Sequence, residues 1–207
     1  MDNIKWLFFD IGSTLADESK VYEDIFRKIA EAACVSEEYV NQKAIEFYKQ
    51  NKRGDKEVAR LLGVEFPEWN PKLETLYNDT IECLKILSRT YKIGIIANQI
   101  PGTEKRLEAF GIRDYISVIA ASSDEGAAKP DRRLFEIALK KAGCTAEEAV
   151  MIGDRIDNDI VPAKEIGMKT IWIKQGPGKY WKVTKENEIL DREVSCLFDL
   201  LEFLYLI

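Results

Sequence analysis

The chain has 207 residues, 46% of them hydrophobic and 32% charged, with 30 basic against 36 acidic residues and a net charge of −6. That hydrophobic share excludes a mainly disordered chain and suffices for one large domain, or one domain with a smaller insert. The acidic balance excludes a nucleic-acid-binding footprint, and the lack of any histidine excludes a Ser-His-Asp triad, a Cys-His dyad and a His-ligated zinc site.

In chain order, the first apolar run is Ile4–Phe9, which reads as a buried strand ending at Asp10. Residues 16–90 then carry no strand-like run. Tyr22, Ile25, Phe26, Ile29 and Ala33 share a face at helical spacing. So do Val40, Ala44, Phe47 and Tyr48, and again Leu73, Leu76, Tyr77, Ile81 and Leu84. Residues 51–54 and 66–71 read as the loops between them. This is too much helix for one crossover, so an inserted helical unit is expected.

Strands and helices alternate from there. Lys92–Ala97, Ile116–Ala121, Ala149–Ile152 and Thr170–Lys174 are continuous apolar runs that suit a parallel sheet covered on both faces. Helices are expected over Thr103–Phe110, Asp131–Ala142 and Asp157–Ile166, each followed by a capping glycine (Gly111, Gly143, Gly167). Residues 197–207 read as a docking helix. The fold class is α/β: a doubly wound, Rossmann-like parallel sheet over 1–15 and 91–207, with an α-helical insert over 16–90.

The run Trp6–Phe9 is too short for a signal peptide, and no segment reaches the ~20 apolar residues that span a bilayer. Cys34, Cys83, Cys144 and Cys196 form no CxxC pair and read as reduced thiols. A cytoplasmic protein with no membrane or nucleic-acid partner is expected.

In open α/β sheets, ligands bind beyond the carboxyl ends of the strands. Asp10, Ala97-Asn98, Lys129 and Gly153-Asp154 all fall there, with Asp159 just beyond. Carboxylates gathered at one edge repel one another unless a cation lies between them. An all-oxygen set suits Mg²⁺, and the lysine suits a phosphoryl group. Singly, an Asp after a strand is as readily a turn or helix cap.

Four segments in this order resemble the motifs of the haloacid dehalogenase superfamily, whose members are mostly phosphohydrolases. They are Phe8–Leu15, Ile95–Asn98, Ala128–Asp131 and Ile152–Asp159, the last being the most specific. Gly167–Thr170 also looks typical of the family. The resemblance covers nearly the whole chain, and makes the insert a cap that closes over the site and selects substrate. It implies that Asp10 is the nucleophile, forming an aspartyl-phosphate that water hydrolyses. It implies that Asp10, the Gly12 carbonyl and Asp154 hold Mg²⁺. It implies that Lys129 neutralises nucleophile and phosphoryl group, that Asn98 donates to a phosphoryl oxygen, and that Asp159 orients Lys129 or a metal-bound water. The implied activity is hydrolysis of a small phosphorylated metabolite.

Two positions depart from the family pattern. Phosphatases of this kind carry a second Asp two residues after the nucleophile, where this chain has Gly12. Losing a general acid–base costs ~10²–10⁴-fold in rate. Ala97 stands where a Ser or Thr hydroxyl is usual. The activity is therefore expected on good leaving groups such as acyl or aryl phosphates, unless Asp17 or Glu18 supplies the missing acid. A phosphonate hydrolase with a Schiff-base lysine (Lys49, Lys52 or Lys56) and a non-catalytic ligand-binding relative are the alternatives. A metal-free dehalogenase is disfavoured by Asp154 and Asp159. Gly176–Lys179, Arg132, Arg133, Trp69, Trp172 and Trp181 read as turn, surface and buried residues before site residues.

Overall fold

The computed structural model describes residues 3–205; residues 1, 2, 206 and 207, at the ends of the expected core segments, lie outside the described residues. The chain begins with β1 (Trp6–Phe9) and a short β2 (Ala16–Asp17). Helices α1 (Ser19–Ala33), α2 (Glu37–Tyr48) and α3 (Gly54–Leu62) follow. The chain returns through β3 (Thr75–Leu76) to α4 (Thr80–Leu87) and β4 (Lys92–Ala97). Then come α5 (Thr103–Ala109), β5 (Ile116–Ala121), α6 (Ser122–Glu125) and α7 (Arg132–Ala142). Last are β6 (Ala149–Gly153), α8 (Val161–Glu165), β7 (Lys169–Ile173), β8 (Arg192–Val194) and α9 (Leu197–Tyr205).

Six strands form one sheet in the order β5-β4-β1-β6-β7-β8, with every neighbouring pair parallel. The fold is thus the expected Rossmann-like α/β arrangement. Successive side chains of a strand point to opposite faces. Leu7 and Phe9 accordingly join one buried cluster with Leu84 of α4, Leu107 of α5 and Leu200 of α9. Trp6 and Phe8 join another with Phe135 of α7 and Ala163 of α8. Each fully buried large apolar side chain of this kind contributes ~1.5–3 kcal/mol.

The chain runs from β1 outward through β4 and β5, then crosses back to β6 on β1's other side. The strand order reverses beside β1, and the crevice at the carboxyl ends opens there.

α1, α2 and α3 pack on one another through Ile25, Ile29, Val40, Ala44 and Val58. The same cluster takes in Ile156, Trp172 and Trp181 from the sheet side, so this helical unit is seated on the sheet domain. β2 and β3 form a two-stranded antiparallel stem where the chain leaves the sheet domain and returns. The expected insert ran to residue 90. α4, however, buries Cys83, Leu84 and Leu87 in the cluster under the sheet. Its apolar periodicity is that of any amphipathic helix and carries no mark of which partner it meets. α3 was not expected: it starts at a glycine and buries only two apolar side chains, Val58 and Ala59.

Candidate active site

The sheet ladder aims Asp10 at the crevice. β1 ends at Phe9, and the Asp10 N–H still donates to the Ile152 carbonyl at 2.9 Å. Lys129 lies on the loop between α6 and α7, and Asn98, directly after β4, pins that loop. Asn98 Nδ2 donates to the Lys129 carbonyl at 2.8 Å, and Asn98 Oδ1 accepts from the Lys129 N–H at 2.7 Å. Both ends of the amide therefore hold the lysine's backbone. Donation to a phosphoryl oxygen, the role expected of Asn98, would have to use its second N–H. The Lys129 side chain spans two carboxylates, with Nζ 2.9 Å from Asp10 Oδ1 and 2.5 Å from Asp159 Oδ1.

Asp154 follows β6 directly. The α-helix expected over 157–166 is instead a π-helical turn, Ile156–Ile160, running into α8. Pro162 has no N–H to close an ordinary turn there. The wider turn carries Asp159 back toward the strand end, where its Oδ2 accepts from the Arg155 N–H at 2.9 Å. Gly153 permits that approach, since a Cβ at 153 would lie 2.4 Å from Asp159 Cγ. Carboxylate oxygens of Asp10, Asp154 and Asp159 all lie within 4.8 Å of one another.

Asp10, Asn98, Lys129 and Asp154 line a cavity of about 490 Å³, with Asp159 buried behind them. Trp69, Arg53 and Tyr48 line it from the helical unit, and Arg155, Pro177 and Trp181 from the sheet domain. Burial, then the charges of Asp159 and Asp10, pushes Asp154 well above the usual carboxylate range. Burial raises Asp159 to about 6, although Lys129 opposes the rise. Burial also raises Glu18 to about 8. Burial works against the charge on Lys129, but Asp10 and Asp159 overcome it and hold the ammonium above its usual range. Negative charge here exceeds what one buried lysine neutralises. The all-oxygen donor set and this surplus of charge fit a hard divalent cation.

A pH dependence follows. The unfolded chain loses the Glu18 and Asp159 protons near 4.5 and 3.8, while the folded protein keeps them to about 8 and about 6. Between those limits the folded state binds more protons than the unfolded one, so stability is full in acid and falls as pH rises through the window. Without divalent metal, the Tm is expected to drop from pH 5 to pH 8. Mg²⁺ binds the carboxyl groups in their ionised form, so its stabilising shift should be larger at pH 8. Calorimetry with EDTA and with Mg²⁺ at both pH values checks this. A Mg²⁺ shift larger at pH 5 contradicts it.

Some sequence candidates lie elsewhere. Arg132 pairs with Glu165 and Arg133 with Asp131, both on the exposed start of α7. Lys49, Lys52 and Lys56 are exposed, and the lysine lining the cavity is Lys129. Trp172 is buried and donates from Nε1 to the Asp154 carbonyl at 2.8 Å. Trp69, Trp181 and the turn at Pro177-Gly178, read first as buried or turn residues, line the cavity. Glu74 and Arg106 were missed. They form a part-buried ion pair at the cavity wall, 32 positions apart in sequence. No local pattern marks such a pair.

The chain matches the model of the haloacid dehalogenase-like hydrolase family over residues 7–173. It is 32% identical to glyceraldehyde 3-phosphate phosphatase of Pyrococcus furiosus over 99% of this chain and 94% of that protein. It is 31% identical to the protein of the same name from Methanocaldococcus jannaschii, over 96% of each. Among solved structures it resembles a HAD phosphatase from Thermococcus onnurineus with a TM-score of 0.65 and 24% identity, covering 97% of this chain and 98% of that one. A haloacid dehalogenase-like protein from Streptococcus pneumoniae gives 0.73 at 20% identity, covering 99% of this chain and 100% of that one. A hydrolase, this chain belongs to the haloacid dehalogenase-like family.

Proposed function

We propose that the protein is a Mg²⁺-dependent phosphatase acting on a small phosphorylated metabolite through an aspartyl-phosphate at Asp10. The observation that carries this reading is the bridge from Lys129 Nζ to Asp10 at 2.9 Å and Asp159 at 2.5 Å, with Asp154 beside them. One Asp10 oxygen attacks phosphorus, and the ester oxygen leaves. Lys129 neutralises the attacking carboxylate and the phosphoryl oxygens, so little charge has to build up unscreened in the transition state. Asp159 holds the lysine in line, and Asn98 fixes its backbone. The other Asp10 oxygen, Asp154 and the Gly12 carbonyl would hold Mg²⁺, which supplies further positive charge to the phosphoryl group.

The helical unit acts as the cap. Its shared apolar cluster with Ile156, Trp172 and Trp181, and the β2–β3 stem, support that part. Arg53 and Arg155 line the cavity, each chelated by a neighbouring Asp, and give the substrate's phosphate and hydroxyl groups polar walls. A Schiff-base route needs a desolvated lysine, and Lys49, Lys52 and Lys56 are exposed. All four cysteines are free, which supports a reducing, cytoplasmic compartment. No described helix is long and apolar enough to cross a membrane.

The test is phosphate release from a panel of small phosphates, including the glyceraldehyde 3-phosphate named for the archaeal relatives, with and without Mg²⁺. Metal-dependent release from at least one is expected. Release from none, or release unaffected by EDTA, overturns the reading.

A further inference from the structure

We propose that Glu18 is the catalytic acid–base of this site, delivering from the cap stem the carboxyl that residue 12 lacks. The inference rests on the phosphatase reading above. Glu18 sits between β2 and the first turn of α1. Its side chain turns back to the loop that follows the nucleophile, where its Oε2 accepts from Ser13 Oγ at 2.9 Å. A Cβ built on Gly12 would meet Glu18 Oε1 at 2.4 Å and Oε2 at 3.0 Å. The Glu18 carboxyl therefore fills the space that a side chain at position 12 would occupy, two residues from Asp10. A glycine there is what lets it in.

The other acids of the site are committed or displaced: in the phosphatase reading Asp10 is the nucleophile and Asp154 would hold the metal. Asp159 is held by Lys129 and the Arg155 N–H. Glu74 accepts from Trp69 Nε1 at 2.6 Å and pairs with Arg106. Glu68 is exposed. Asp17 accepts from the Ser19 N–H at 2.9 Å at the start of α1, whereas Glu18 lines the cavity. Of the two stem acids, the geometry selects Glu18.

Asp10 attacks phosphorus; the bond from phosphorus to the leaving oxygen breaks, and its electron pair goes to that oxygen. The leaving oxygen takes the Glu18 proton and departs as an alcohol. Water then attacks the aspartyl-phosphate and gives a proton to the Glu18 carboxylate. The bond from phosphorus to Asp10 breaks, and phosphate leaves with both carboxyls restored. Because the acid sits on the cap stem, closure of the cap also sets the proton donor.

Leaving-group dependence tests this, because a merely structural role would lower all substrates alike. kcat/KM reports the step in which the leaving group departs. For Glu18→Gln, kcat/KM on alkyl esters (glyceraldehyde 3-phosphate, glycerol 3-phosphate, phosphoserine) should fall ~10²–10⁴-fold. On acetyl phosphate, whose leaving group needs no proton, it should fall at least ~10-fold less. The aspartyl-phosphate should accumulate in the variant. Gly12→Asp alone should not gain activity, because its side chain meets Glu18, while Gly12→Asp with Glu18→Ala should recover alkyl-ester hydrolysis over Glu18→Ala. Equal losses on both substrate classes overturn the proposal, as does a wild type that cleaves acetyl phosphate but no alkyl ester. A wild type without phosphatase activity, or release that survives Asp10→Asn, instead overturns the phosphatase reading.

Discussion

Asp10→Asn is expected to abolish phosphate release, by ~10³-fold or more and down to assay background. The substitution keeps the size of the side chain and its place after β1. It removes the nucleophilic oxygen and one ligand charge from the Asp10, Asp154, Asp159 cluster. It also removes one of the two anions facing Lys129 Nζ. The metal-free fold should therefore hold, because the surplus of buried negative charge is smaller. Steady-state release measured beside thermal melts checks both parts. Activity within ~10-fold of wild type, in a folded variant, would remove Asp10 from the chemistry.

Lys129→Met is expected to cost about 3–5 kcal/mol of stability at pH 8 without divalent metal, and to abolish activity. Lys129 is 4% exposed and bridges Asp10 and Asp159, whose side chain is 0% exposed. Methionine fills a similar volume, so packing is preserved and the loss is electrostatic. Removing the cation leaves buried carboxylates facing one another, and the Asp159 carboxyl, already raised to about 6, goes higher. The defect should then shrink as pH falls and Asp159 takes up a proton. Urea unfolding at pH 8 and pH 5 reads both. A defect below about 1 kcal/mol at pH 8, or one that grows toward pH 5, contradicts the bridge.

The sheet was the most legible part of the chain, because its inner strands are buried on both faces and read as nearly unbroken apolar runs. Lys92–Ala97 and Ile116–Ala121 match residue for residue. β8 escaped, since it has three residues, with Arg192 and Glu193 exposed and only Val194 buried. The two-residue strands of the stem are too short to carry any alternation. The face expected from Leu73, Leu76, Tyr77, Ile81 and Leu84 is not the one α4 buries: Leu76 lies in β3 and Ile81 is exposed, while Cys83, Leu84 and Leu87 meet the cluster under the sheet.

The carboxylate cluster was legible because topology alone brings strand ends together, so Asp10, Lys129 and Asp154 could be placed without contacts. Asp159 was placed near them, but the π turn that carries it was not. What remained hidden depends on long-range side-chain geometry. Asn98 meets the Lys129 backbone across 31 residues. Glu18 stood level with Asp17 as a candidate, and only the direction of its side chain toward Gly12 separates the two.

Whether Asp10 is the nucleophile is read by quenching the protein in acid during turnover of acetyl phosphate with Mg²⁺ and mapping the phosphoryl group by mass spectrometry. An acid-stable, hydroxylamine-labile phosphoryl group is expected on the peptide containing Asp10. It should be absent in Asp10→Asn and enriched in Glu18→Gln. Phosphate release with Asp10 unmodified in every quench, or a phosphoryl group on another residue, would contradict that role.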